Sequence, residues 1–189
     1  MNDSSRSVMA LASLGVGLVH LAVGAGSPLF PAILLVGFGI AELAWGVAIL
    51  ARGRVPLATA ALPLSLVPVA LWGIDVTLVI AIGGTGMSAG LPFGPMAAAT
   101  VLSLIIGFSL ATARRRATNP RAEGSTAAPA RPGRYLLGML AGSLLVAGLV
   151  TPALAGTKAG TEAVPHGEHG LTVVDDDAPA VDTPSHQGH

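Results

Sequence analysis

Five continuous apolar stretches, each long enough to cross a bilayer, constrain the fold of this chain more than any other feature. They cover residues 8–26, 29–51, 57–83, 91–113 and 135–155. A helix needs about 20 mainly apolar residues to cross the roughly 30 Å hydrocarbon core. Lone strands cannot satisfy their backbone groups in lipid, and the runs do not alternate as barrel strands do. We therefore predict an all-α integral membrane protein, a five-helix transmembrane bundle in contact with the lipid bilayer.

The composition of the 189 residues supports this prediction. Residues of the AVILMFWYC class make up 52% of the chain, and charged residues only 11%. Soluble domains carry about a quarter charged residues, so this chain has too few charges to cover a water-exposed surface. The chain has no cysteine, which excludes disulfides, thiolate metal sites and a cysteine nucleophile.

The arginines predict the orientation in the membrane. Arg52 and Arg54 follow the second span, and residues 114–134 contain six arginines, whereas the connections at 27–28 and 84–90 carry no charge. Positively charged loops stay in the cytoplasm. We therefore expect a cell-membrane protein with a cytoplasmic N-terminus and, after five spans, an extracytoplasmic C-terminal tail.

The same charges divide the chain into a 4+1 arrangement. Residues 1–113 form a predicted four-helix transmembrane unit, 114–134 a basic cytoplasmic linker, and 135–155 the fifth helix. Residues 156–189 form an acidic tail with few large apolar groups, a composition typical of a disordered segment.

The fifth span carries two further patterns. Gly138 and Gly142 form a GxxxG pair, which packs helices within one bundle or joins two copies of the chain. Arginines, an apolar run and the small residues Ala153 and Ala155 also resemble the parts of a signal peptide. Cleavage after Ala155 would release the tail; the alternative is a final anchor helix that ends in small residues.

Three ionisable residues lie inside the spans: His20, Glu42 and Asp75. Measured from the outer ends of their helices at 1.5 Å per residue, they lie about 9, 18 and 12 Å deep, respectively. Such residues are costly in lipid and usually face the bundle interior. We expect them to form an intramembrane polar cluster in the outer half of the bundle, either as a clamp between helices or as a metal or proton site.

The tail carries four of the five histidines as two His-x-x-His pairs, His166 with His169 and His186 with His189. Neutral imidazoles bind Cu(II), Zn(II) and Ni(II). The tail is therefore a candidate site for Cu(II) or Zn(II). The alternative is a solvated tail that tolerates histidine anywhere.

No pattern in the chain indicates catalysis or nucleic-acid binding. The glycines at 83, 84 and 86 lack the lysine and the strand–loop–helix setting of a phosphate loop. Attraction to anionic lipid head groups accounts for the positive charge of the arginine-rich linker. We expect no enzyme activity and no nucleic-acid partner.

Three segments carry a family resemblance. They are the stretch from His20 through Pro31 to Glu42 and Trp45, the GLPFGP segment at 90–95, and the VPHGEHG segment at 164–170. With these segments the chain resembles a group of small actinobacterial multi-pass membrane proteins with histidine-rich tails. The resemblance implies a shared topology and a link to metal handling, and it brings no catalytic residues.

Three functions remain open at this point. The first is a metal-binding accessory protein of the cell envelope that captures Cu(II) or Zn(II) with its tail. The second is a non-catalytic subunit or scaffold of a membrane complex, with other membrane subunits as partners. The third is a small transporter that works through His20, Glu42 and Asp75.

Overall fold

The computed structural model describes residues 3–82, 91–118 and 132–163. These residues form six helices and no strand: α1 Asp3–Ala25, α2 Leu29–Arg52, α3 Ala58–Ile82, α4 Phe93–Thr118, α5 Pro132–Ala155 and the short α6 Lys158–Thr161. The first five helices are long and apolar enough to cross a membrane. The predicted all-α architecture with five spanning helices is confirmed.

Local hydrogen bonds form where α1 and α2 end. At the end of α1, the Ser27 hydroxyl donates to the Val23 carbonyl at 2.7 Å, and Pro28 then precedes α2. The α2 helix ends at Gly53, which has φ +60° and donates its N–H to the Ile49 carbonyl. Glycine is favoured at this left-handed capping position because it has no Cβ.

The first helix is the centre of the bundle. It packs against α2, α4 and α5, whereas α3 packs mainly on α4. As a result, 61% of the most apolar window of α1 is buried inside the protein, compared with 6% for α3. The buried apolar residues of α1 include Met9, Val16 and Val19. The bundle is therefore built around its N-terminal helix, with α3 at its periphery.

The outer faces of the bundle are apolar. Large side chains such as Leu29, Ile80, Phe108 and Leu137 are exposed on α2 to α5. A water-soluble monomer rarely exposes so much contiguous apolar surface, whereas lipid-facing helices require it. The protein is therefore embedded in a membrane, with these faces in contact with lipid.

Small residues allow α1 and α2 to approach closely. A Cβ added to Gly17 would lie 2.8 Å from the Gly39 carbonyl oxygen, and one added to Gly46 would lie 3.0 Å from that of Ala10. Real Cβ atoms essentially never come as close to backbone as the one on Gly17 would, and the contact at Gly46 is tighter than most real Cβ contacts. Close backbone contact of this kind is a normal way to join helices in lipid.

The fifth helix packs into the same bundle through its GxxxG pair. A Cβ on Gly142 would overlap the Val8 side chain, and one on Gly138 would lie 3.5 Å from Ser4. Both glycines thus face α1. The GxxxG face is covered within the chain, as the bundle-packing alternative expects.

The chain after α5 turns back onto the bundle. Thr157 is buried, and its hydroxyl donates to the Leu154 carbonyl at 2.7 Å and accepts from the Gly160 N–H at 3.2 Å. This hydrogen bond caps α6, whose Lys158 side chain lies against Gly26 at the end of α1. The short α6 helix therefore lies beside the turn between α1 and α2.

Candidate functional site

The structure brings two of the three intramembrane ionisable residues into contact. His20 Nδ1 and Glu42 Oε2 are 2.7 Å apart, across the interface between α1 and α2. The His20 side chain is 2% exposed and that of Glu42 15%. This is the distance of a strong hydrogen bond between a ring nitrogen and a carboxyl group.

The glycine contact between α1 and α2 explains why these two side chains meet. His20 lies three residues after Gly17, and Glu42 lies three residues after Gly39, in helices that run in opposite directions. The two Cα atoms are thus offset along the helix axes by about 9 Å at 1.5 Å per residue. Helical side chains tilt toward the N-terminus of their own helix, so both side chains point back toward the crossing and span this offset.

A serine completes the polar contact. The Ser13 hydroxyl donates to the backbone carbonyl of Glu42 at 2.7 Å, and Ser13 is fully buried. Sequence reasoning missed this residue. Its signal is the spacing of Ser13, Gly17 and His20 at i, i+4 and i+7, which places all three on one helix face.

The His20–Glu42 pair can share a proton, but it offers few ligands for a metal ion. When Glu42 is ionised, only the His20 Nδ1–H can donate; when Glu42 carries the proton, its O–H donates to the ring nitrogen. Either arrangement places one proton between the two groups. No group of three histidine, aspartate or glutamate side chains in the described part of the chain is arranged to hold a metal ion.

Asp75 lies apart from this pair. It lines a cavity of about 40 Å³ between α2, α3 and the start of α4, where its Oδ2 atom is buried without a hydrogen-bond partner among the described residues. The other lining residues are apolar or aromatic: Pro31, Leu34, Leu35, Phe38, Pro68, Leu71, Trp72, Leu91 and Met96. The expected three-residue cluster is therefore split into a closed pair and a single carboxyl group.

Aromatic and proline residues shape this cavity. The Trp72 and Phe93 rings pack at a centroid distance of 5.4 Å and an interplanar angle of 51°, which joins α3 to α4 beside it. Pro68 lies on the inward face of α3, two turns before Asp75. The cavity is thus a narrow cleft with aromatic walls and one acidic oxygen.

The tail histidines His166, His169, His186 and His189 lie outside the described residues. Most of the basic linker also lies outside them, as does the greater part of the connection between α3 and α4. The tail metal site and the predicted disorder of the tail stay predictions.

Comparison with known proteins adds no assignment: no family model, no curated protein and no solved structure matches the chain.

Proposed function

We propose that this protein is a non-catalytic subunit of a membrane protein complex, and that α3 binds a transmembrane helix of its partner. The observation that carries this proposal is the weak attachment of α3 to its own bundle. Only 6% of its apolar window is buried, and it packs mainly on one neighbour, whereas α1 packs on three.

The outward face of α3 supports the proposal. Ala70, Gly73, Thr77 and Ala81 share this face and are exposed, and a Cβ on Gly73 would meet no atom within 4 Å. Small residues at such spacing let two helices pack closely where no hydrophobic effect drives association. The protein uses small residues in this way between α1 and α2, but on α3 the face is uncovered.

Site-specific cross-linking in native membranes tests this proposal. A photo-reactive amino acid replaces Ile74, which is 57% exposed on the outward face of α3, and in a control chain it replaces Leu144, which is 64% exposed on α5. We expect one adduct of discrete mass from position 74 and none from position 144. Gly73→Leu should abolish the adduct, whereas Gly148→Leu, at an equally open glycine of α5, should leave it intact.

Two results would contradict the proposal. One is the absence of a discrete adduct from position 74 in native membranes. The other is an adduct at twice the mass of the chain, which would identify self-association in place of a different partner.

The metal-binding accessory protein is the second candidate. The observation that favours it is the fold of residues 157–163, which pack beside the turn between α1 and α2. This contact keeps the first residues of the tail at one end of the bundle, which positive-inside reasoning assigns to the outer surface. The resemblance to small proteins with histidine-rich tails supports the same function.

Calorimetry with the full chain in detergent tests this candidate. We expect Cu(II) or Zn(II) to bind with micromolar or tighter affinity, and the affinity to fall when His166, His169, His186 and His189 are all changed to alanine. Binding that persists unchanged in that variant would refute a role for the tail histidines.

A further inference from the structure

We propose that the cleft between α2, α3 and α4 binds a primary ammonium group on a slender apolar chain, with Asp75 as its anionic anchor. This site is independent of the proposed subunit function, because Asp75 lies on the inward face of α3 and the small residues lie on the outward face.

The Oδ2 atom of Asp75 is an acceptor that no donor in the described part of the chain satisfies. Glu42, the other carboxyl group inside the spans, has His20 as its partner at 2.7 Å, whereas Asp75 Oδ2 is buried and has no partner within residues 3–82, 91–118 and 132–163. A buried polar group without a partner is costly, and an ionised one far more so. A cationic donor in the cleft would remove this cost.

The residues that line the cleft favour a ligand with one positive charge and an apolar chain. Asp75 is the only titratable residue among those that line it, so no other charge competes for the ligand. Phe38 and Trp72 present aromatic rings, which attract cations through their faces. Leu34 and Leu71 provide an apolar wall for the chain of the ligand.

The size of the cleft limits the head group. Its volume is about 40 Å³, and a single water-sized sphere occupies about 10–15 Å³ of such a volume. Pockets for drug-sized molecules measure roughly 300–1,000 Å³. The cleft thus admits a compact ammonium head, while the rest of the ligand extends through its open side. A bulky quaternary ammonium does not fit.

The donor set excludes a metal ion as the occupant. Hard cations such as Ca²⁺ and Mg²⁺ take about six or more oxygen ligands, and the lining residues offer one side-chain carboxylate and no histidine. An ammonium group needs only one charged acceptor, and the aromatic side chains of Phe38 and Trp72 line the same cleft.

Tryptophan fluorescence gives a direct binding measurement. The chain has two tryptophans, and Trp45 lies away from the cleft, where its indole N–H donates to the Pro56 carbonyl at 2.9 Å. In a Trp45→Phe background, Trp72 is the only tryptophan and it lines the cleft. The protein is placed in nanodiscs of phosphatidylcholine and titrated with n-octylammonium, with n-octanol as the neutral control for membrane partition.

We expect n-octylammonium to produce a saturable change in Trp72 fluorescence, and n-octanol to produce none. Asp75→Asn should weaken binding at least tenfold, because the amide keeps the shape and removes the charge. Leu34→Phe should weaken it too, because the larger side chain fills the cleft and leaves the carboxyl group in place. Thr77→Val, two residues away on the outward face, should bind as the parent does.

Each variant is first shown to elute as the parent does in size-exclusion chromatography. Equal responses to n-octylammonium and n-octanol would overturn the proposal, because the response would then report partition into lipid. Unchanged affinity in Asp75→Asn would overturn it as well, as would equal binding of octyltrimethylammonium.

Discussion

At the scale of single residues, the two carboxyl groups inside the spans differ in how they are accommodated. Glu42 meets His20 at 2.7 Å and accepts from Ser13 through its backbone carbonyl. Asp75 Oδ2 has no hydrogen-bond partner in the part of the chain that the structure describes. Ionisable residues in membrane helices are costly unless they are paired or reach a polar path. The first carboxyl group therefore stabilises a helix contact, and the second is available to a ligand.

Substitution of one member of the His20–Glu42 pair should be strongly destabilising. His20→Phe leaves the Glu42 carboxyl group without its partner, and a buried polar group left unsatisfied costs about 1–3 kcal/mol, and more when it is charged. Replacement of both by apolar residues, His20→Phe with Glu42→Leu, should restore part of the loss, because no uncompensated polar group remains. Denaturant unfolding in detergent of the parent, His20→Phe, Glu42→Leu and the double variant measures the free energies for this double-mutant cycle.

Asp75→Asn is the matched control for that cycle. It should not lower the free energy of unfolding, because the Oδ2 atom loses no hydrogen bond and the amide carries no charge that burial would penalise. Strictly additive losses for His20 and Glu42 would contradict the account of a coupled pair.

The residue types and depths of His20, Glu42 and Asp75 could be predicted from sequence, but their partners could not. Glu42 contacts His20 because of the register between α1 and α2. The contact between Gly17 and Gly39 sets this register. Residue depth along a span does not specify which face of a helix meets which neighbour. For the same reason, the separation of Asp75 from the pair had no signal in the sequence.

At the scale of helices, glycine contacts hold the central pair together. Gly39 and Gly37 provide a matched comparison on α2, because a Cβ on Gly39 would lie 2.8 Å from the Gly17 carbonyl and one on Gly37 would meet nothing within 4 Å.

Gly39→Ala should destabilise the protein by about 1–3 kcal/mol, the usual cost of overpacking. Gly37→Ala should be neutral or stabilising by up to about 1 kcal/mol, because alanine favours helix over glycine. Thermal unfolding of both variants in the same detergent checks this difference. Equal melting temperatures would show that the α1–α2 contact is looser than the structure has it.

The structure at the end of α5 opposes proteolytic removal of the tail. The small residues Ala153 and Ala155 resemble a cleavage site, yet both lie in α5, and Thr157 beyond them is buried. A protease must bind its substrate in an extended, accessible form, which this fold opposes.

We therefore expect the tail to stay attached. Intact-mass measurement of the chain purified from membranes should give its full mass of 18.7 kDa, allowing for any tag. A species that ends at Ala155 would contradict this expectation.

The existence of the helices could be predicted from apolar length alone, whereas their arrangement could not. The pair Gly138 and Gly142 signals a close contact, but the same pattern fits a contact within the chain and a contact between copies. Only the fold shows that α1 covers it, through Val8 and Ser4.

At the scale of the whole molecule, the protein is a bundle built on a buried N-terminal helix, with a third helix that is little buried. The number of spans could be predicted, because lipid imposes a minimum length on each helix. The central position of α1 could not, because α1 to α5 are all apolar enough to span and differ mainly in which faces are covered.

The most direct test of this architecture is cysteine accessibility in intact cells, since the chain has no cysteine of its own. Single cysteines replace Ser27, Leu57 and Glu162, which lie after the first, second and fifth spans, and the parent chain serves as the unlabelled control. A membrane-impermeant maleimide should label positions 27 and 162 in intact cells, and position 57 only after permeabilisation. Labelling of positions 57 and 162 from the same side would contradict five spans and the orientation inferred from the arginines.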